Sequence, residues 1–187
     1  MDNNNSYNDN DLIKQSAEGN EQSFALLVKK YEKAVFSTIY RYTGNKEDVE
    51  DLAQEIFIKV WKNAKSFKER SKFSTWLYRI VVNHCLNYKI KVKKQRRDIP
   101  LEDVSKEGST SSALIVQNDC DSKVKVEIIK KAIRSLPKRQ RLALILAQFE
   151  DKSHQEIADI MKVSPSSVHS LIFRARITLR KMLKELL

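Results

Sequence analysis

The chain has 187 residues, with 35 Lys and Arg against 24 Asp and Glu for a formal charge of +11, and only three Gly and three Pro. So little turn chemistry argues against a sandwich or barrel and leaves helices, while the positive balance points to a polyanionic partner, nucleic acid or an acidic membrane surface, over plain solubility. The longest unbroken apolar run, Leu142 to Ala147, falls far short of the roughly 20 residues that span a bilayer, so no membrane insertion is expected.

Residues 1–10 are rich in Asn and Asp and carry no apolar stretch, which predicts a disordered lead-in without a secretory signal and a cytoplasmic location. Cys85 and Cys120 are isolated and His84, His154 and His169 are scattered, so neither a disulfide framework nor a zinc site is expected, and no cofactor. Charge is blocked along the chain: +7 over residues 1–97, −5 over 98–122 and +9 over 123–187. The acidic stretch holds Pro100, Gly108 and the run from Ser109 to Ser112, which is linker chemistry. The expected fold is therefore all-α, with two helical domains, 11–97 and 123–187, joined by a flexible acidic linker over 98–122.

In the first domain Asn20 can cap a helix with Phe24, Leu27, Val28, Tyr31, Val35, Ile39 and Tyr42 at helical spacing and Gly44 as its stop. Asn45 can cap a second, whose Val49, Leu52, Ile56 and Val60 form a core stripe. Its outer side carries Glu47, Asp48, Glu50, Asp51 and Glu55. Three readings compete there: a metal site from Asp48, Asp51 and Glu55, a solvated face, and a docking surface for a protein. The last is favoured because Phe57 and Trp61 follow on the same helix as apolar anchors, and because no carboxylates converge from other elements.

A third helix, from about Thr75 to Lys94, turns Leu77, Ile80, Val81, His84 and Tyr88 toward a core and sets Trp76, Arg79, Asn83 and Asn87 on a separate arc of roughly 80°. Before it lies a basic loop, Phe67 to Phe73, containing Lys68, Arg70 and Lys72; after it comes a dense run of Lys89, Lys91, Lys93, Lys94, Arg96 and Arg97. Aromatics interleaved with cations suit single-stranded nucleic acid, whose bases stack and whose phosphates pair with Lys and Arg. Phe73 and Trp76 read equally well as core residues, and His84 as a packed histidine.

Past the linker, Val124–Ser135 and Lys138–Phe149 read as helices divided by Pro137, and two short helices follow. Ser153 with Glu156 fits a capping box, and Ser164-Pro165 gives an N-cap with proline at the first helical position. Two helices three residues apart make a helix-turn-helix, the arrangement that lets its second helix enter a major groove. Winding that helix turns Val168, Ile172, Ala175 and Leu179 inward and leaves Ser166, Ser167, Ser170, Phe173 and Arg174 outward, with His169, Arg176 and Arg180 at the margin. Short hydroxyls permit close approach, Arg reads guanine or holds phosphate, and Phe173 can touch a thymine methyl. Arg176 and Arg180 read as phosphate contacts.

Asp51-Leu52-Ala53-Gln54-Glu55-Ile56-Phe57, Phe73-Ser74-Thr75-Trp76-Leu77-Tyr78-Arg79-Ile80 with Asn83, Ser135-Leu136-Pro137, Gln155-Glu156-Ile157-Ala158 and Phe173-Arg174-Ala175-Arg176, in this order, resemble the bacterial RNA polymerase sigma factors of the small extracytoplasmic-function (ECF) group. The resemblance covers nearly the whole chain after about residue 10. It implies a promoter-specificity subunit without catalysis of its own. Asp51, Gln54, Glu55, Phe57 and Trp61 would dock on the polymerase, at the clamp coiled coil of its largest subunit, with the flap as a further contact. Phe67, Lys72, Phe73, Trp76, Arg79 and Asn83 would hold an unpaired −10 strand. Ser166, Ser167, His169, Ser170, Phe173, Arg174 and Arg176 would read the −35 duplex. An anti-sigma partner is implied as well; a small-molecule substrate is not.

Lys162 stands where the family usually has Gly in the turn, and a left-handed residue there would cost about 1 to 2 kcal/mol. Leu171 and His169 replace cations common in relatives, and Asn87 and Ile90 stand where many have Asp and Arg, with Lys89 and Lys91 adjacent to supply charge. The competing functions are an autonomous dimeric helix-turn-helix regulator, which gives the Asp51–Phe57 face no purpose, and a nuclease, which lacks a converging catalytic set.

Overall fold

The computed structural model describes residues 8–97 and 120–186. Eight α-helices and no strand occur among them: α1 (Asp9–Ala17), α2 (Glu21–Thr43), α3 (Glu47–Lys62), α4 (Phe73–Arg97), α5 (Cys120–Ser135), α6 (Lys138–Phe149), α7 (His154–Met161) and α8 (Pro165–Leu186). None is long and apolar enough to cross a membrane. The expected lead-in over residues 1–7, most of the linker, and the side chains of the basic run from Lys89 to Arg97 lie outside the described residues.

Three boundaries differ from the sequence expectations, each for a local reason. Residues 8–10, placed in a disordered lead-in, instead start α1, because the Asn8 side chain accepts the Asn10 N–H and Asp9 accepts from Lys30 Nζ and Tyr31 Oη, each at 2.6 Å. Leu12 and Ile13 are then buried against α2. Residues 120–122, assigned to the linker, are helical. The last helix is not short: α8 runs 22 residues, its inner side continued by Leu179.

Caps act as the sequence indicates. Asn20 accepts the Ser23 N–H at 3.0 Å, and Gly44 ends α2 at φ 75°. Asn45 accepts the Glu47 N–H at 3.2 Å, although Lys46 is the residue that precedes the helix. Both halves of the Ser153/Glu156 capping box form. Lys162 takes the left-handed conformation, φ 53° and ψ 54°, and closes α7 where a Gly would do so without Cβ strain.

The first block, α1–α4, gathers around Leu27, Val35, Ile39, Ile56, Leu77 and Val81. In α4 the buried arc is wider than its sequence suggests, since Tyr78, Val82 and Cys85 are buried too. The reason is tertiary: α6 and α7 of the second block also lie against α4, in addition to α2 and α3. Helix α6 is enclosed between α8, α7 and α2, and all six residues from Arg141 to Leu146 are buried, as a helix apolar on every side requires. The two blocks thus share one continuous core.

Lys162→Gly should relieve the left-handed strain. Thermal unfolding is expected to move up by about 2 to 4 °C, corresponding to roughly 1 kcal/mol for a protein of this size.

Candidate nucleic-acid interface

On α8 the Ser164 hydroxyl accepts the Ser167 N–H at 3.2 Å and lies 2.9 and 2.8 Å from the hydroxyls of Ser166 and Ser167. These bonds fix the first turn of the helix. Val168, Ile172 and Ala175 are spent on the core, at 3% exposure or less, and that choice orients everything else. Ser166, Ser167, His169, Ser170, Arg174 and Arg176 are exposed, and Phe173 is 56% exposed. His169 lies parallel to Phe173 at 6.4 Å, and His154, from the start of α7, meets His169 edge-on at 6.0 Å. No local spacing marks this row of rings, because His154 and His169 are brought together only by the turn. An aromatic row beside hydroxyls and guanidiniums can contact thymine methyls, base edges and phosphates.

The carboxylate of Glu156, just behind this face, is held below the ordinary range. The Ser153 backbone N–H is the main cause, helped by the Ser153 hydroxyl and the charges of Lys152 and Lys72, against the desolvation that opposes it.

The second surface is built on α4 and the loop before it. Phe67 and Trp76 are half-buried, 5.6 Å apart, and Lys72 and Asn83 are exposed. Phe73 departs from its expected role as a base contact. It is 2% exposed and lies beneath the loop, 6.0 Å from Trp76, 6.2 Å from Phe67 and 5.4 Å from Tyr31. The core alternative holds for Phe73, which supports the ring surface from below. Glu69, at φ 53°, bridges to Lys14 at 2.9 Å and ties the loop to α1. Arg79 shares the Trp76 and Asn83 side of α4, but its Nε donates to the Asp159 carbonyl of α7 at 2.8 Å.

The acidic side of α3 presents Asp51, Gln54 and Glu55 to solvent, and Glu55 lies 3.7 Å from His84 Nδ1. Phe57 and Trp61 are half-buried; Trp61 meets Phe24 at 5.0 Å. Together with Val28 and Phe36 of α2 and Ile58 of α3 they line a groove of about 410 Å³ edged by Glu32 and Glu50. In the sequence Phe24 and Val28 read as one core stripe, and only the placement of α2 against α3 makes them a wall. Asp48 is spent within the fold, accepting from Tyr88 Oη and from Asn45 Nδ2 at 2.9 Å, and among the described residues no three His, Cys, Asp or Glu converge on a metal position. Burial pushes the Cys85 thiol up to about 12.

Profiles of known families match most of the chain: "Sigma-70 region 2" over residues 27–97 and "Sigma-70, region 4" over residues 127–179. The chain is 35% identical over 180 residues to the ECF RNA polymerase sigma factor SigW of Bacillus subtilis, covering 93% of this chain and 96% of that protein. It is 34% identical over 170 residues to the ECF RNA polymerase sigma-E factor of Escherichia coli K12, covering 88% of each. In fold it is similar to CnrH solved with the cytosolic domain of CnrY (TM-score 0.69, 21% identity, 95% of this chain and 97% of that one). It is similar also to the sigma factor RpoE solved with the anti-sigma factor NepR from Bartonella quintana (TM-score 0.65, 24% identity, 87% and 98%).

A carboxylate depressed in the folded state stabilises fully above its unfolded value and loses that contribution as pH falls through its lower folded value. The cap from Glu156 is therefore expected to weaken below about pH 4. Glu156→Gln, which keeps the acceptor of the capping box and removes only its charge, should cost about 0.3 to 1 kcal/mol at neutral pH and flatten acid-induced loss of helicity between pH 5 and 3, as read by circular dichroism.

Proposed function

The chain belongs to the ECF group of sigma-70 RNA polymerase sigma factors, and on that premise we propose how its surfaces divide the work. It is a promoter-specificity subunit, which joins core RNA polymerase and directs it to promoter DNA. The acidic side of α3 and its groove take the polymerase, with Asp51, Gln54 and Glu55 as the polar contacts and Phe57 and Trp61 as anchors on the clamp coiled coil. The α4 surface takes the melted −10 strand: Phe67 and Trp76 stack, Lys72 and Arg79 hold phosphate, and Asn83 hydrogen-bonds a flipped base. Unstacking costs a few kcal/mol per base, which those contacts offset. The α8 face reads the −35 duplex through Ser166, Ser167, His169, Ser170, Phe173 and Arg174, with Arg176 on phosphate.

No chemical step on substrate is assigned to the chain itself, and its place of work is the cytoplasm, where the polymerase acts. An anti-sigma protein is its expected regulator, since a similar fold has been solved with an anti-sigma factor. The observation that carries the reading is the separation of two unlike exposed faces in one chain. An acidic, apolar-edged groove suits protein and repels phosphate, while a basic helix face bearing an exposed Phe173 suits DNA.

Fluorescence anisotropy of the labelled chain with purified bacterial core RNA polymerase tests the first assignment: Asp51→Lys and Gln54→Lys should each weaken binding about tenfold or more. Specific DNA affinity by the chain alone, with no polymerase binding, would instead identify an autonomous dimeric regulator. Asn83→Ala should reduce open-complex formation while sparing polymerase binding, and equal loss of both would remove Asn83 from the −10 site. Arg176→Ala should weaken duplex binding evenly across sequences and reduce the salt slope by about 1.

A further inference from the structure

Helix α1 precedes the stretch matched as region 2, which begins at residue 27, and the proposed function gives it no task. Yet the helix is firmly placed. Leu12 and Ile13 are buried, Asp9 accepts from Lys30 and Tyr31 of α2, and Gln15 accepts from Ser23 Oγ of the same helix. Helix α1 also packs on the short 3₁₀ turn Ala64–Ser66 that leads into the Phe67–Phe73 loop, with Ala64 buried.

Two contacts carry this placement to the −10 surface. One runs from Asp9 through Tyr31, whose ring meets Phe73 edge-on at 5.4 Å; Phe73 in turn lies against Phe67 and Trp76, the rings proposed to stack on bases. The other is direct: Lys14 Nζ lies 2.9 Å from a carboxylate oxygen of Glu69. Glu69 has a left-handed φ of 53°, a conformation that strains any residue with a Cβ and persists where its surroundings hold it. It is also the one carboxylate from Phe67 to Phe73, flanked by Lys68 and Arg70, both exposed.

A carboxylate left without a partner there would repel phosphate and draw one of its neighbouring cations away from the strand. Lys14 reaches it from a different helix, so that Lys68, Arg70 and Lys72 stay available to phosphate. We propose that Lys14 is a positioning residue for capture of the unpaired −10 strand, acting through Glu69: it holds the loop in its left-handed turn and neutralises the loop's only carboxylate. This deepens the −10 assignment above and rests on it. Both partners are about half exposed, and a pair so placed supports a change of a few-fold in affinity.

Trp61→Phe leaves Trp76 as the only tryptophan. Titrating that full chain with a mixed-sequence single-stranded oligodeoxynucleotide, followed by quenching of Trp76 emission, reads strand binding at this surface. Lys14→Ala should raise the midpoint about two- to fivefold, and Lys14→Arg should keep the starting value. In a Glu69→Gln background the same Lys14→Ala change should have no further effect, since no carboxylate remains to be released. Equal loss in both backgrounds would make Lys14 a phosphate contact in its own right and overturn the inference, as would an unchanged midpoint in Lys14→Ala. Circular dichroism checks that the helices survive, and Lys14→Gln gives the same comparison should Lys14→Ala lose helicity. Phe67→Ala reports on the −10 reading separately. Binding weakened by that variant but untouched by Lys14→Ala keeps the reading and removes the inference, whereas no quenching in any form removes both.

Discussion

The arrangement of the two blocks depends on how one buried cation is satisfied. Arg141 is 5% exposed, and a guanidinium carried that far from water must find acceptors for its N–H groups. It finds them at backbone carbonyls: Tyr42 in the first block, Leu136 and Arg134 in the second. The Tyr42 carbonyl belongs to the last turn of α2, where orphan acceptors and the negative end of the helix dipole favour a cation. With the ring of Tyr42 5.1 Å from the guanidinium, one residue of α2 supplies both an acceptor and a π face. Arg134 and Arg41 extend the theme, one on the Gly44 carbonyl and the other 4.3 Å from the ring of Phe149.

Such a seam imposes orientation more than it contributes stability. Aliphatic packing by Leu142 to Leu146 supplies non-directional attraction, whereas each carbonyl–guanidinium bond exists in a single pose. The unpartnered Tyr42 Oη and Arg141 Nε each cost about 1 to 3 kcal/mol, which offsets part of that attraction. Gly44 is bound to this geometry as well. It needs its positive φ to end α2, and a Cβ there would sit 2.3 Å from Arg134 Cδ.

Charge is segregated to match. The α3 side concentrates carboxylates beside an apolar groove, and α8 concentrates cations beside hydroxyls and rings. A uniformly basic surface would bind nucleic acid through any face; placing the acidic face on α3 prevents that, and leaves α4 and α8 as the sides we propose for DNA. Within α4, the divergence between Trp76, at the surface, and Phe73, beneath it, separates a residue that can stack on a base from one that only supports its neighbour.

Much of this was legible locally. Caps at Asn20, Ser153 and Ser164, the stop at Gly44 and the inward and outward sides of α8 all follow from residues within four or five positions of one another, where the periodicity and hydrogen bonding of a helix decide the outcome. Asp51, Gln54 and Glu55 of α3 stand on its outer side for the same reason. Even the enclosure of α6 was foreshadowed, since the run from Leu142 to Ala147 leaves no polar side for water. What the sequence could not state is which surfaces meet. Helix α1 was hidden because its anchors, Lys30 and Tyr31, lie 21 and 22 residues downstream of Asp9. The fates of Phe73, Arg79 and Glu150 depended on partners from other helices, 112 residues away in the case of Thr38 and Glu150. Local spacing settles the helices, their caps and the chemistry each side carries; which of those sides face solvent and which face each other came from the packing of whole helices, because pairing across such separations has no signal in any one segment.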